Sequence, residues 1–382
     1  MNKHQIKMIR IGILTFPIGR AGCVSTSNLV DILCSISKDI YLVTGNAGYD
    51  FFKSDERIHV YGIKHKSGSN VISRVLLYIF AQLKMSFELL KISKNVDIWI
   101  FFIGGNTLIL PMSILKFLRK KIVIIYAGSS FQSVASSGSN FSMPINILEN
   151  INSHLSNHII LYSQGLIKEW RLERHINKIR IASRHFLNHE KFKIKRKFDD
   201  RDTLVGYIGR LSEEKGSMNL AEAIKETSKE MHNLKYIICG DGKLRNEIER
   251  YLEKEGLSNV KIVGWISHEQ LPDYLNELKL IVIPSYTEGL PNIMLEAMAC
   301  GTPVLATPVG SIADIIKDGE NGFIMENNSP ECIAKNIQRA LAYPNLDKII
   351  KNARVLVLKE FTYEAAVNRY KKILSDMLES SK

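Results

Sequence analysis

The stretch that most constrains this chain is residues 284–310, P-S-Y-T-E-G-L-P-N-I-M-L-E-A-M-A-C-G-T-P-V-L-A-T-P-V-G. The apolar run at 280–283 leads into it and reads as a buried parallel strand. A polar turn follows at 285–291, with Gly289 inside it and Pro291 suited to the first helical position. Ile293, Met294, Ala297 and Met298 recur at helical spacing, Gly301 is a natural stop, and 304–306 is a second apolar strand. A strand–turn–helix–strand unit of this kind belongs to a parallel α/β sheet.

Such a unit aims the free N–H groups of a helix start out of the carboxyl end of the sheet, where open α/β sheets bind ligands and where anions are favoured. Glu288 lies in the turn, and Glu296 lies in the helix eight positions later. Two carboxylates are poor partners for a phosphate but good acceptors for sugar hydroxyls. A phosphate flanked by sugar on both sides, as in a nucleotide diphosphate sugar, satisfies both requirements. A second loop points the same way. After the strand at 203–208 comes G-R-L-S-E-E-K-G, residues 209–216. It places Arg210 and Lys215 on a glycine-flanked loop at a strand's carboxyl end, a fork of donors and a point charge suited to a diphosphate.

The run E-G-L-P-N-I-M-L-E resembles the E-x7-E motif of the retaining GT-B glycosyltransferases of the GT4 type. The following A-M-A-C-G-T-P-V-L-A-T and the earlier G-R-L-S-E-E-K-G are similar to that family as well. The resemblance covers nearly all of 196–380 with specific motifs, and 1–195 only as a pattern of strands and turns. It implies two Rossmann-like domains facing a cleft, with a last helix (361–378) crossing back to the first domain. It implies transfer of a hexose from a UDP- or GDP-sugar to an acceptor hydroxyl with retention, by a front-face mechanism without a protein nucleophile. Glu288, Arg210 and Lys215 would be the catalytic residues. Glu288 would hold the transferred sugar and Glu296 the ribose; Arg210, Lys215 and the amides near Gly289 and Leu290 would hold the phosphates, with Gly209, Pro291 and Asn292 also lining the donor. Trp265 and Ile266 would lie against the base. Gly19, in the first loop, would approach the donor. Gly22, Ser129 and Ser130 would serve the acceptor. The sequence departs from the family near residues 127–128, where many members carry a histidine touching the transferred sugar and this chain has Ala127 and Gly128. Ser129 or Ser130 supplies a hydroxyl in its place, or the role is absent. No D-x-D motif is present at a catalytic position, so metal independence is expected.

At 382 residues two domains are the default. The expected division is 1–195 for the acceptor, 196–360 for the donor, and 361–382 returning to the first. Five scattered cysteines, without C-x-x-C or zinc spacing, read as reduced thiols of a cytoplasmic protein. Charge is uneven. Residues 1–195 hold 26 Lys and Arg against 11 Asp and Glu, while 196–382 hold 25 against 28. A basic first half suggests an anionic partner. The basic residues are dispersed without interleaved aromatics, so nucleic acid is the weaker choice. An anionic inner membrane face, with a glycan or lipid-linked acceptor, is the stronger.

In the first half, 9–16 reads as strand, 17–22 as a glycine-bearing turn, and 27–36 as helix with Ser25, Thr26 or Ser27 as cap. Residues 70–92 are long, apolar and helical in period. Their four charges argue against a transmembrane span; a core-facing helix is expected, a membrane-surface one being the alternative. Residues 111–118 and 164–174 read as helices, and 96–103, 122–126, 158–162 and 178–182 as strands. His185 and His189 sit where the family has another loop sequence; they are acid–base candidates or, as is commoner, linker or surface residues. Two rival functions stand beside the transferase reading: a GT-B nucleotide-sugar 2-epimerase, and a non-catalytic binder of nucleotide sugars or polyanions.

Overall fold

Thirteen short strands, nearly all with apolar side chains on both faces, build two wholly parallel sheets in the computed structural model, which describes residues 9–66, 68–128 and 142–379. The first sheet contains β1 (Arg10–Thr15), β2 (Asp39–Gly45), β3 (His59–Ile63), β4 (Ile98–Phe102), β5 (Lys121–Ile125), β6 (His158–Leu161) and β7 (Ile179–Ile181), in the order β3-β2-β1-β4-β5-β6-β7. The second contains β8 (Leu204–Ile208), β9 (Lys235–Cys239), β10 (Val260–Gly264), β11 (Leu280–Ile283), β12 (Val304–Ala306) and β13 (Phe323–Ile324), in the order β10-β9-β8-β11-β12-β13. Both are doubly wound. The order reverses between β1 and β4 in one sheet and between β8 and β11 in the other, which sets a ligand site at the carboxyl ends of those strands. Strands such as β4 and β11 are buried throughout, because helices cover both faces of a parallel sheet.

The polypeptide divides into two units. The first takes the chain up to His185 together with the closing helix Tyr363–Glu379, and the second is Phe186–Thr362. The closing helix packs on the first-unit helix Arg20–Cys34, and the Tyr363 hydroxyl donates to the Asp31 carbonyl at 2.9 Å. The basic run 191–197 is part of the second unit, because its side chains find acids there: Lys191 pairs with Glu269 at 2.8 Å and Lys195 with Asp273 at 2.6 Å. Arg201, buried at the foot of β8, donates to the Leu278 and Cys300 carbonyls and to the Thr302 hydroxyl. Burial pulls its guanidinium down to about 10, and its donors satisfy carbonyls left over at helix ends. The five cysteines are free, and burial pushes Cys239 and Cys300 up to about 12, so those two thiols are poor nucleophiles.

Several local expectations are corrected. The first helix begins at Arg20, not at residue 27; Gly19 caps it without a side chain, and Gly22 lies inside the helix. Thr26 spends its hydroxyl on the Gly22 carbonyl within the helix (2.8 Å). The helix expected over 164–174 stops at Glu169, where Arg171 turns to a left-handed φ of 56°, and a 3₁₀ segment Glu173–Lys178 replaces its second half. The helices Ala47–Phe52 and Ser142–Leu155 were not foreseen. The helix Val71–Ile92 buries only one face, that of Ala81, Met85 and Leu89, and leaves nine large apolar side chains exposed. Among the described residues no helix is long and apolar enough to cross a membrane.

His185 is neither surface nor linker. It is 2% exposed, its Nδ1 lies 2.8 Å from the Ser183 hydroxyl, and its ring meets Tyr162 edge-on. Burial, reinforced by Arg184 and Arg369, holds its pKa well below the ordinary histidine value. Burial likewise lowers His65, His158 and His175. The native state therefore refuses protons that the unfolded chain accepts below pH ~6.5, so stability present above that pH is lost as pH falls through it. Urea unfolding between pH 7.5 and 5.5 is expected to show this loss, and His185→Gln should reduce the slope by up to one proton, about 1.4 kcal/mol per pH unit. An unchanged slope in the variant counts against His185 as a main contributor.

Candidate functional site

The site of the second unit starts from two loops that leave adjacent strands at the topological switch point. β8 and β11 are paired in parallel, Leu280 beside Val205 and Ile281 beside Gly206. The loop after β8 carries Gly209, Arg210 and Lys215, and the loop after β11 carries Glu288, Gly289, Leu290 and Pro291. Gly216 closes the first loop with φ +64°, and a Cβ there would lie 2.0 Å from the Pro284 carbonyl oxygen. The Tyr286 amide donates to the Glu214 carbonyl at 3.0 Å, which ties the two backbones together. Gly310, φ +60°, admits a third segment against the second loop: a Cβ would lie 2.2 Å from the Glu288 carbonyl, and the Ser311 amide donates to the Gly289 carbonyl at 2.8 Å. Thr307 donates its hydroxyl to the Ser285 carbonyl (2.6 Å), and the buried Tyr207 hydroxyl to the Arg210 carbonyl (2.6 Å).

On this frame the Lys215 ammonium meets Glu288 Oε1 at 2.6 Å, and the Ser285 hydroxyl donates to the same oxygen at 2.7 Å. Both charged side chains are largely buried, with 27% and 10% exposed. Arg210 is not part of this contact. It is exposed and pairs with Glu214 at 3.2 Å. Pro291 is the N-cap, not the first helical residue; its ψ of 120° is extended, and the helix is Asn292–Ala299. No side chain caps that helix; Met294 donates its amide to the Pro291 carbonyl (3.2 Å), and the Asn292 and Ile293 amides at its start face where an anion is favoured. Leu290 and Pro291 are buried, while Asn292 is exposed.

Glu296 is buried within the helix, and its Oε1 lies 3.0 Å from His268 Nε2. Lys191 Nζ lies 3.0 Å from the other ring nitrogen, Nδ1, and the Phe192 ring packs on the imidazole. With Nδ1 accepting from the ammonium, the proton sits on Nε2 and is donated to the carboxylate. This Lys191–His268–Glu296 chain was missed, since nothing in the sequence links residues 77 and 28 positions apart. Trp265 and Ile266 follow β10 as expected of a turn; Trp265 is 75% exposed. Gly19 and Gly22 belong to the first unit, and Ser129 and Ser130 lie outside the described residues. Among the described residues no group of three or more His, Cys, Asp or Glu could hold a metal ion.

The arrangement offers an ammonium, uncapped amides and two carboxylates held in hydroxyl-accepting positions, with a glycine-permitted close approach between loops. Gly216→Ala should therefore cost about 1–3 kcal/mol in urea unfolding, because both the space and the left-handed backbone are denied. Gly19→Ala, with nothing within 4 Å of the added carbon, should change stability by less than about 0.5 kcal/mol. Equal effects would remove the case for the loop junction.

Residues 188–356 match the family model for glycosyl transferases group 1. An uncharacterized glycosyltransferase of Methanocaldococcus jannaschii (MJ1178) is 31% identical over 171 residues, covering 45% of this chain and 47% of that one. At this level of identity the chain spans about half the length of the curated relatives it matches. The capsular polysaccharide biosynthesis glycosyltransferase CapM of Staphylococcus aureus is 23% identical over 373 residues, 91% of this chain and 97% of that one. The Anabaena protein Alr3699/HepE, solved in complex with UDP, superposes with a TM-score of 0.77 at 17% identity over 96% of this chain and all of that one, which is a likeness of fold. On these grounds residues 188–356 resemble the glycosyl transferases group 1 family, and the chain has the GT-B fold.

Proposed function

We propose that the protein is a retaining hexosyltransferase of the GT4 type that uses a nucleotide diphosphate sugar, a UDP- or GDP-sugar, as donor. The observation that carries this reading is the Lys215–Glu288 contact at the junction of the two switch-point loops, beside the uncapped start of the Asn292–Ala299 helix. In the bound state Lys215 and the leading amides take the donor diphosphate, and Arg210, exposed and held only by Glu214, swings to it. Glu288, its Oε1 fixed by Ser285, accepts from the hydroxyls of the transferred hexose. Glu296, fixed by His268, accepts from the ribose. Trp265 and Ile266 border the base. UDP bound to the Anabaena structure agrees with a uridine donor.

In the reaction the acceptor oxygen bonds to the anomeric carbon as the bond from that carbon to the β-phosphate oxygen breaks, on the same face. The acceptor proton passes to the departing phosphate oxygen, whose charge Lys215, Arg210 and the helix amides stabilise. No protein nucleophile and no metal ion takes part. The acceptor is a glycan or a lipid-linked oligosaccharide of the cell surface, handled in the cytoplasm by the first unit while the second holds the donor. The capsular polysaccharide role of the Staphylococcus aureus relative is of that kind. Gly22 and the Ser129–Ser130 pair serve the acceptor.

One observation favours a second reading. A histidine does contact a site carboxylate, His268 on Glu296, which is the kind of acid–base pair a nucleotide-sugar 2-epimerase requires.

A thermal-shift panel of UDP- and GDP-sugars should single out one donor, since a ligand at a hundred times its Kd adds about 2.7 kcal/mol. With that donor and an acceptor mixture, Lys215→Ala and Glu288→Gln should each lower nucleotide release roughly 10²–10³-fold, with EDTA without effect. Unaltered turnover in Lys215→Ala refutes the assignment. Interconversion of the sugar without acceptor would establish the epimerase instead.

A further inference from the structure

We infer that the helix Val71–Ile92 is an interfacial helix that docks the first unit on an anionic lipid surface. This rests on the first unit alone and is independent of how the donor site is read. Ile72, Leu76, Ile79, Leu83, Phe87 and Leu90 recur every three or four residues and lie on one face of the helix. All six are exposed, from 46% for Ile79 to 73% for Ile72. Phe80 beside them is 57% exposed. The opposite face is the one that meets the protein: Ala81, Met85, Leu89 and Ile92 are buried, Tyr78 donates to the Thr107 carbonyl, and Gln82 accepts from the Leu110 amide. The helix is thus anchored through one side and apolar on the other for about 27 Å, from Ile72 to Leu90.

An exposed stripe of this length is a docking surface, not a scatter of surface leucines. Its occupant follows from the charges that border it. Lys84 and Lys91 each follow a stripe phenylalanine by four residues, so both lie along the same edge. Lys91 sits over the Phe87 ring at 4.2 Å and pairs with Glu88 at 2.9 Å. Lys64 lines the hollow between β3 and the helix together with Leu83, Lys84 and Phe87. With Arg74 the helix carries three bases and one acid, within a half of the chain that holds 26 bases against 11 acids. Apolar side chains that enter the acyl boundary, with lysines reaching from the same edge to acidic headgroups, are what an anionic bilayer surface accepts.

The test is co-sedimentation of the full chain with phosphatidylcholine vesicles that contain or lack phosphatidylglycerol, at low salt. The wild-type chain should bind the phosphatidylglycerol vesicles and only weakly the neutral ones. Phe80→Glu with Phe87→Glu should lower binding about tenfold or more. Lys84→Glu with Lys91→Glu should weaken it about fivefold per lysine and leave a residual apolar component. All four side chains are exposed, so circular dichroism should be unchanged in both variants. Three results overturn the inference. They are no binding by the wild type, full binding by the phenylalanine variant, and a wild-type dimer that the phenylalanine variant dissolves without any vesicle binding. Equal binding to neutral vesicles overturns its anionic part.

Discussion

The geometry of the second unit's candidate site depends on how close two backbones approach. Gly216 stands against the Pro284 carbonyl and Gly310 against the Glu288 carbonyl, at separations no Cβ permits. Because those three segments touch, Lys215 reaches Glu288 although 73 residues separate them, and both side chains are withdrawn from water. In bulk water such an ion pair is worth little. Here it sits at a sheet's switch point beside a helix start that no side chain caps, where an anion can compete for the ammonium.

The second carboxylate is held by different means. Glu296 is buried on the helix and depends on His268 for its hydrogen bond, and His268 is oriented in turn by Lys191 and Phe192. A basic segment that looks like a linker thus holds one side of the binding site in place. Arg201 does similar work below the site, gathering carbonyls at the end of the same helix and in the segment before β11. His268 and Arg201 thus each hold one part of the Asn292–Ala299 helix, its Glu296 side chain and the carbonyl at its end.

The first unit shows how far composition can mislead. The apolar run at 70–92 has the content of a core helix, yet its apolar residues lie on two opposite faces and the neighbouring elements cover one. Periodicity reports that a face is apolar; only packing reports what covers it. The histidines show the converse: His185 reads as a polar linker residue, but a buried hydrogen bond with Ser183 and the ring of Tyr162 make it part of the interior.

What the sequence alone determined was local and periodic. The strands β11 and β12, the helix between them and the two glycine-flanked loops were legible because each depends on residues within about ten positions, through apolar runs, positive-φ glycines and turn chemistry. The resemblance to a glycosyltransferase family rests on the same stretches. The start of the Arg20–Cys34 helix escaped because Gly19 caps it without a side chain, and the end of Gly165–Glu169 because Arg171 takes a left-handed conformation that no residue type announces. The tertiary structure alone decided which charges meet. While Arg210 stayed with Glu214 four residues on, Lys215 met Glu288 through the register of β8 against β11 and the close approach of their loops, and His268 met Glu296 across 28 residues. Such contacts bring together groups far apart in the chain, and local sequence carries no record of that distance.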